Sequence, residues 1–202
     1  MDRQLLFSLE DHVNFLNKAV DNKPKAVFIS SFGTYLGITY DGRDTTSWGE
    51  KYQLKIRSFM ESVRSINNVK VLIGLANYTS CKGKLQCKDC EKTYARSLIR
   101  LMNHAELFPE FKWRMVNELH LKCALFFYDD DIVGVSGGRN LTDSNWDDIT
   151  FTLSSAEIKQ LWAHISPIWN RSLDITDNNI RNILNDQEIS EVGLKSVLDG
   201  YN

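Results

Sequence analysis

The sequence predicts an α/β fold with a mixed central sheet flanked by helices. Two buried-type strands, at 25–32 and 69–75, are separated by an amphipathic helix, and several strand-like segments then follow one another. A chain of 202 residues that is 43% hydrophobic can bury a sizeable core in one domain. We therefore expect a single domain over 1–202, with its core at about 25–153 and a C-terminal helical appendage at about 154–202.

Hydrophobic periodicity and turn residues predict the individual elements. In the first helix, for example, Leu9, Val13, Leu16 and Val20 recur at helical spacing. Pro167 is expected to end or kink the helix that precedes it. The expected elements are helix 8–20, strand 25–32, helix 47–66, strand 69–75, helix 92–107, strand 111–118, a hairpin from 120 to 137, strand 149–153, helix 156–165 and helix 176–184.

Composition and charge favour a soluble, cytoplasmic protein. The N-terminal segment MDRQLLFSLEDH carries acids around a short apolar group, which is unlike a signal peptide. The longest apolar stretches are too short to span a bilayer, so we expect no membrane partner. The net charge of −2 gives no global basic signal, so any binding of nucleic acid must come from a local patch.

Four cysteines raise the question of a metal site. Cys81, Cys87 and Cys90 lie in one loop, and His104 or Cys123 is the candidate for a fourth ligand of tetrahedral zinc. Free thiols or a redox pair are the alternative, because the spacing fits no known finger. Such a zinc would be structural, and we expect no cofactor for catalysis.

The segment HLKCALFFYDDDIVGVSGGRN places polar residues at both ends of a predicted hairpin. In an extended strand, His120 and Lys122 project to the same side, and a turn at 129–131 brings them near the other end of the hairpin. There, Gly137 and Gly138 allow close approach of the backbone and can offer N–H groups to an anion, and Asn140 adds an amide. Together these groups describe a receptor for a phosphate.

An acidic pair follows this hairpin. Asp147 and Asp148 lie immediately before the strand predicted at 149–153. A carboxylate at this position could orient the imidazole of His120. Asp148 is the preferred residue because it is adjacent to the strand, and Asp147 is the second choice. The alternative is that the pair only solvates a turn.

The two ends of the hairpin resemble the two half-motifs of the phospholipase D superfamily. His120-Leu121-Lys122 matches H-x-K, and the segment from Gly137 to Asn140 matches G-(S/G)-x-N. The resemblance covers about 25–153. The family's H-x-K-x4-D pattern expects an aspartate where this chain has Phe127, and acids occur instead at 129–131. Many members also carry two copies of the motif, whereas this chain carries one.

The resemblance implies a metal-independent phosphodiesterase. His120 would form a covalent phosphohistidine, with Lys122, Asn140 and the residues Gly137, Gly138 and Arg139 around the phosphate. With one motif per chain, the second histidine would come from a symmetric homodimer. Small single-motif members are typically nucleases, so DNA is the expected substrate. A phospholipid, or a catalytically idle module that binds nucleic acid or protein, is the alternative.

Overall fold

A computed structural model describes residues 4–32, 36, 51–75, 88–117, 119–139 and 149–186. Eight strands and five helices lie within these ranges. They are β1 Leu5–Leu6, α1 Leu9–Asp21, β2 Ala26–Phe32, α2 Lys51–Val63, β3 Val69–Leu75, α3 Lys88–Leu107, β4 Lys112–Asn117, β5 Cys123–Phe127, β6 Ile132–Gly137, β7 Thr150–Leu153, α4 Ser155–Arg171, β8 Leu173–Asp174 and α5 Asp177–Asp186.

The eight strands form one mixed sheet in the order β1-β7-β6-β5-β2-β3-β4-β8. The neighbouring strands β2, β3 and β4 are parallel, with Val27 opposite Val69 and Val71 opposite Trp113. The other neighbouring pairs are antiparallel. This confirms the α/β fold with a mixed central sheet that the sequence predicts.

Helices cover both faces of the sheet. On one face, α1, α2, α3 and α5 contribute to a large core that includes Leu16, Phe59, Leu98 and Ile180. On the other face, α4 packs a smaller core against the sheet, and Trp169 meets Phe28 edge to face with ring centroids 6.0 Å apart. Residues 155–171 therefore form the whole helical layer described on that face. None of the helices described is both long and apolar enough to cross a bilayer.

Pro167 does not end α4, contrary to the sequence-based expectation. The helix continues through it to Arg171. Pro167 is exposed, whereas its neighbours Ile165 and Ile168 are buried in the smaller core. Proline has no backbone N–H group to donate, and the packing of Ile165 and Ile168 stabilises the helix in spite of this missing hydrogen bond. The two-residue strands β1 and β8 were not predicted, because such short segments carry no periodic signal.

The connection from β4 to β5 determines where the polar residues of the hairpin lie. Because β2 and β3 separate these strands in the sheet, the chain must cross the ends of both. A Cβ atom on Gly74, in β3, would lie 1.7 Å from the carbonyl oxygen of Leu119. The crossing backbone therefore lies directly on β3 at a position where only glycine leaves room. We call residues 119–122 the crossover segment.

Replacing Gly74 with alanine should disrupt this crossing. The added methyl group would meet backbone atoms that cannot rotate away, so we expect a loss of about 2 kcal/mol or more in the free energy of unfolding. Chemical denaturation measures this loss. Gly134→Ala is the comparison variant, since its Cβ atom would lie 2.6 Å from the flexible Leu125 side chain and no closer than 3.0 Å to backbone, at the Ala124 carbonyl oxygen. Equal losses for the two variants would contradict the role of Gly74.

Candidate active site

The crossover segment brings His120 and Lys122 together at the end of the sheet. The Lys122 Nζ atom lies 3.0 Å from the His120 Nδ1 atom. The His120 ring packs against Phe32, the last residue of β2, with centroids 4.2 Å apart. His120 is exposed, whereas Lys122 is only 8% exposed. The pair therefore presents an accessible imidazole beside a largely buried ammonium group.

Hydrogen bonds from two strands hold the backbone of the crossover segment. The Ser30 hydroxyl, in β2, donates to the carbonyl oxygen of Leu121 at 3.2 Å. The Ser136 hydroxyl and the Gly137 amide, in β6, both donate to the carbonyl oxygen of Lys122, at 3.0 and 3.2 Å. These bonds fix the segment although residues 119–122 form no strand, whereas the hairpin was expected to begin at His120.

The two glycines at the end of β6 are packed against β7. A Cβ atom on Gly137 would lie 2.4 Å from the carbonyl oxygen of Ile149. The Gly138 amide donates to that same oxygen at 3.1 Å. The amides of Gly137 and Gly138, expected to face an anion, thus donate to carbonyl oxygens of the protein in this structure. The close approach at Gly137 is to the backbone of Ile149 and Thr150, and it serves strand pairing.

Arg139 follows the two glycines, and its side chain points into the protein. It is 8% exposed, and one terminal nitrogen donates to the carbonyl oxygen of Phe7 at 3.3 Å. Its Nε atom is buried without a hydrogen-bond partner in the described part of the chain. Arg139 therefore ties the N-terminal segment to the glycine turn, and its charge lies under the surface rather than on it.

His12 was not among the residues singled out from the sequence. It is 8% exposed, and its Nδ1 atom lies 3.2 Å from the Thr150 hydroxyl oxygen. Burial, followed by the nearby charge of Arg139, lowers the pKa of His12 to about 4. The signal available was its spacing, because His12 precedes Leu16 by four residues on the buried face of α1.

A small cavity connects these buried polar groups. Its volume is about 20 Å³, which suffices for one water molecule. Its lining includes two cationic side chains, Lys122 and Arg139, and none of the described residues that line it is an aspartate or a glutamate. The other polar residues lining it are His12, Ser30, Ser136 and Thr150.

Three residues predicted for the site lie outside the described ranges. Asn140, Asp147 and Asp148 all fall between Arg139 and Ile149. The described flanks of this segment are neighbours, since the Gly138 amide bonds to Ile149. The segment therefore leaves and rejoins the sheet at the same rim as His120, and the roles of its three residues stay predictions.

The zinc prediction is only partly covered by the described residues. Cys81 and Cys87 lie outside them, and no described residues form a group of three or more histidine, cysteine, aspartate or glutamate side chains that could hold a metal. His104 is fully buried, and its Nε2 atom accepts a hydrogen bond from the Leu36 amide at 3.3 Å. Cys123 is buried in the smaller core, and burial raises the pKa of its thiol to about 12. A thiol in this environment is not reactive at neutral pH.

Solved structures share this fold. NucT from Helicobacter pylori superposes with a TM-score of 0.54 at 15% identity, over 86% of this chain and 98% of that one. Phosphatidylserine synthase from Haemophilus influenzae Rd KW20 gives a TM-score of 0.56 at 10% identity, over 98% of this chain and 47% of that one. This chain thus spans about half of the synthase. No protein-family model and no curated protein matches the sequence.

These similarities establish the fold of the chain. It is the phospholipase D-like fold, as the two half-motifs predicted. At such low identity the similarity concerns the course of the backbone.

The buried His12 predicts a specific loss of stability in acid. Its pKa of about 4 in the folded protein lies below the value of roughly 6.5 expected after unfolding. The unfolded chain therefore binds the proton first. The stabilisation is complete above about pH 6.5 and decreases towards pH 4, by roughly 3 kcal/mol in total.

Denaturation curves measured between pH 7 and pH 4 test this prediction. His12→Gln keeps a hydrogen-bonding group near Thr150 but cannot take up a proton in this range. Its free energy of unfolding should change less over these pH values than that of the unaltered protein. Parallel curves for the two proteins would show that His12 is not the responsible group.

Proposed function

We propose that the chain is a phosphodiesterase that acts through a covalent intermediate on His120. The observation that carries the proposal is the 3.0 Å contact between the exposed His120 imidazole and the Lys122 ammonium group, at the carboxyl ends of the parallel strands. Open α/β sheets commonly bind ligands at these ends. The motif residues and the phospholipase D-like fold support the same reading.

His120 would attack phosphorus through Nε2, because Nδ1 faces Lys122. This attack needs the lone pair of Nε2, so the ring proton must be on Nδ1. In this proposal the carboxylate of Asp148, or of Asp147, accepts a hydrogen bond from the Nδ1–H group of His120. Lys122 then turns towards the phosphate oxygens. The N–P bond forms as the bond from phosphorus to the leaving oxygen breaks.

Lys122 and Asn140 would stabilise the negative charge that develops on the phosphoryl oxygens. Lys122 is suited to this role because its ammonium group is shielded from water, which strengthens its interaction with an anion. In the second step water attacks phosphorus and the N–P bond breaks, which restores the imidazole of His120. The proton of the water passes to the group that protonated the leaving oxygen in the first step. The lysine supplies the required charge, so the proposed reaction needs no divalent metal.

The leaving oxygen also needs a proton, which a second imidazole could supply. The chain has four histidines, and all lie in the described residues. His12 and His104 are buried, at 8% and 0% exposure. His164 is exposed on α4, the helix that covers the face opposite α1. We therefore propose that a second copy of the chain provides its own His120, in a homodimer.

DNA is the substrate we propose first. The two half-motifs occur once in this sequence, and the family resemblance implies a nuclease for members with a single motif. The fold is also that of a phosphatidylserine synthase, so a phospholipid is the second candidate substrate. A protein that only binds nucleic acid or a protein partner is the third possibility to test.

The central prediction is that His120→Ala abolishes phosphodiester cleavage and leaves the fold intact. Loss of the nucleophile should lower the rate by at least about a thousandfold. The assay offers plasmid DNA, single-stranded DNA and phosphatidylcholine separately, each in EDTA. His164→Ala is the matched control, because it removes an exposed histidine outside the site.

The same assay separates the alternatives. Cleavage of lipid but of neither DNA would overturn the choice of DNA. Strict dependence on magnesium would contradict the metal-independent mechanism. The absence of cleavage of all three, together with retained binding of DNA, would favour the non-catalytic module.

The proposed homodimer predicts that activity depends on protein concentration. As dilution dissociates the dimer, specific activity should decrease in parallel with the fraction of dimer. Light scattering gives the molar mass, and activity is measured on the same samples. A fully active monomer at every concentration would disprove the shared site.

A further inference from the structure

Three exposed apolar side chains lie together at the edge of the sheet beside the candidate site. Leu5 is 50% exposed, Phe7 62% and Ile149 49%. Leu5 and Phe7 alternate with the buried Leu6, so both project away from α1. The pairing of Leu5 with Phe151 and of Leu6 with Thr150 places Phe7 opposite Ile149. We call Leu5, Phe7 and Ile149 the rim patch.

Hydrogen bonds connect the rim patch to the site. The carbonyl oxygen of Phe7 accepts from Arg139, and that of Ile149 accepts from the Gly138 amide. In the sheet, β1 is four positions from β2, against whose last residue the His120 ring packs, and this corresponds to about 19 Å. A protein interface of standard size covers roughly 800 Å² on each partner, so a single interface can include both the patch and His120.

Charge argues against a nucleic-acid strand on this patch. The three side chains of the patch carry no charge, so they offer no cation to a phosphate backbone. The nearest acids along the chain after Phe7 are accompanied by cations, since Glu10 is paired with Lys55 and Asp11 interacts with Arg139. An apolar patch can pair with an identical patch across a two-fold axis.

We infer that the rim patch is the contact surface for a second copy of this chain, which brings its His120 to the shared site. This inference rests on the proposed function, because that function leaves the site without a second proton donor.

Two leucines provide a matched pair for the test. Leu5 and Leu173 are each 50% exposed, and each lies in a two-residue strand at an opposite edge of the same sheet. Leu5→Asp should raise the dissociation constant of the dimer by roughly tenfold or more, because a carboxylate would be buried in an apolar contact. Leu173→Asp should leave it unchanged. Sedimentation velocity over a range of concentrations measures both constants.

Activity is measured at the same concentrations, with circular dichroism as a check on folding. We expect Leu5→Asp to be inactive when it is monomeric and to recover at concentrations that restore the dimer. Phe7→Asp should behave in the same way, which gives a second variant if Leu5→Asp does not fold. Both results together would support the rim patch as the interface.

The other outcomes overturn the inference in distinguishable ways. If both leucine variants stay dimeric and active, the dimer uses another surface and the phosphodiesterase proposal stands. If the unaltered protein is an active monomer, the patch and the dimer fail together. If Leu5→Asp stays dimeric but loses affinity for single-stranded DNA in a fluorescence anisotropy assay, the patch binds substrate instead. An inactive unaltered protein that still dimerises through the patch would reject the proposed function alone.

Discussion

The site depends on a constraint of chain connection. β4 and β5 are separated by two strands, so the chain must cross the ends of β3 and β2 to enter β5. Gly74 leaves space for that crossing, and the Ser30 hydroxyl donates a hydrogen bond to the carbonyl oxygen of Leu121 in the crossover segment. His120 is consequently held against Phe32 at the carboxyl ends of the parallel strands. A longer, free loop between the same strands would carry the same residues without fixing them.

Much of the fold could be predicted because the larger elements carry periodic signals. Strand β3 occurs at 69–75, as expected from VKVLIGL, and α1 occupies Leu9–Asp21 where helical spacing predicted a helix. β1 could not be predicted, because two residues show no period and its place depends on pairing with β7. The continuation of α4 through Pro167 likewise depends on tertiary packing. Local sequence rules fail where contacts distant in the chain decide the conformation.

In the candidate site too, local sequence predicted some features, and contacts between distant parts of the chain decide the others. An extended strand was expected to place His120 and Lys122 side by side. Their atoms are 3.0 Å apart, although residues 119–122 form no strand. The orientation of the glycine amides was not predictable from Gly137-Gly138 alone. It depends on how far the pairing of β6 with β7 extends, and that pairing includes Gly137. The contact between His12 and Thr150 could not be predicted either, because the position of a histidine on an apolar helix face does not show which strand it contacts.

The burial of Lys122 and Arg139 connects stability with binding. Both are 8% exposed, and among the described residues that line their shared cavity there is no carboxylate to neutralise them. Asp11 interacts electrostatically with Arg139 and offsets part of its charge from outside the cavity. Burying the remaining positive charge costs free energy. The anionic phosphodiester that we propose as substrate would reduce that cost on binding, because its charge would offset the two cations. His12 fits the same logic, since a second proton there would add a third positive charge, and its lowered pKa keeps it neutral. Helix α1 thus influences the positive potential at the site through His12, whereas His12 itself takes no part in the proposed chemistry.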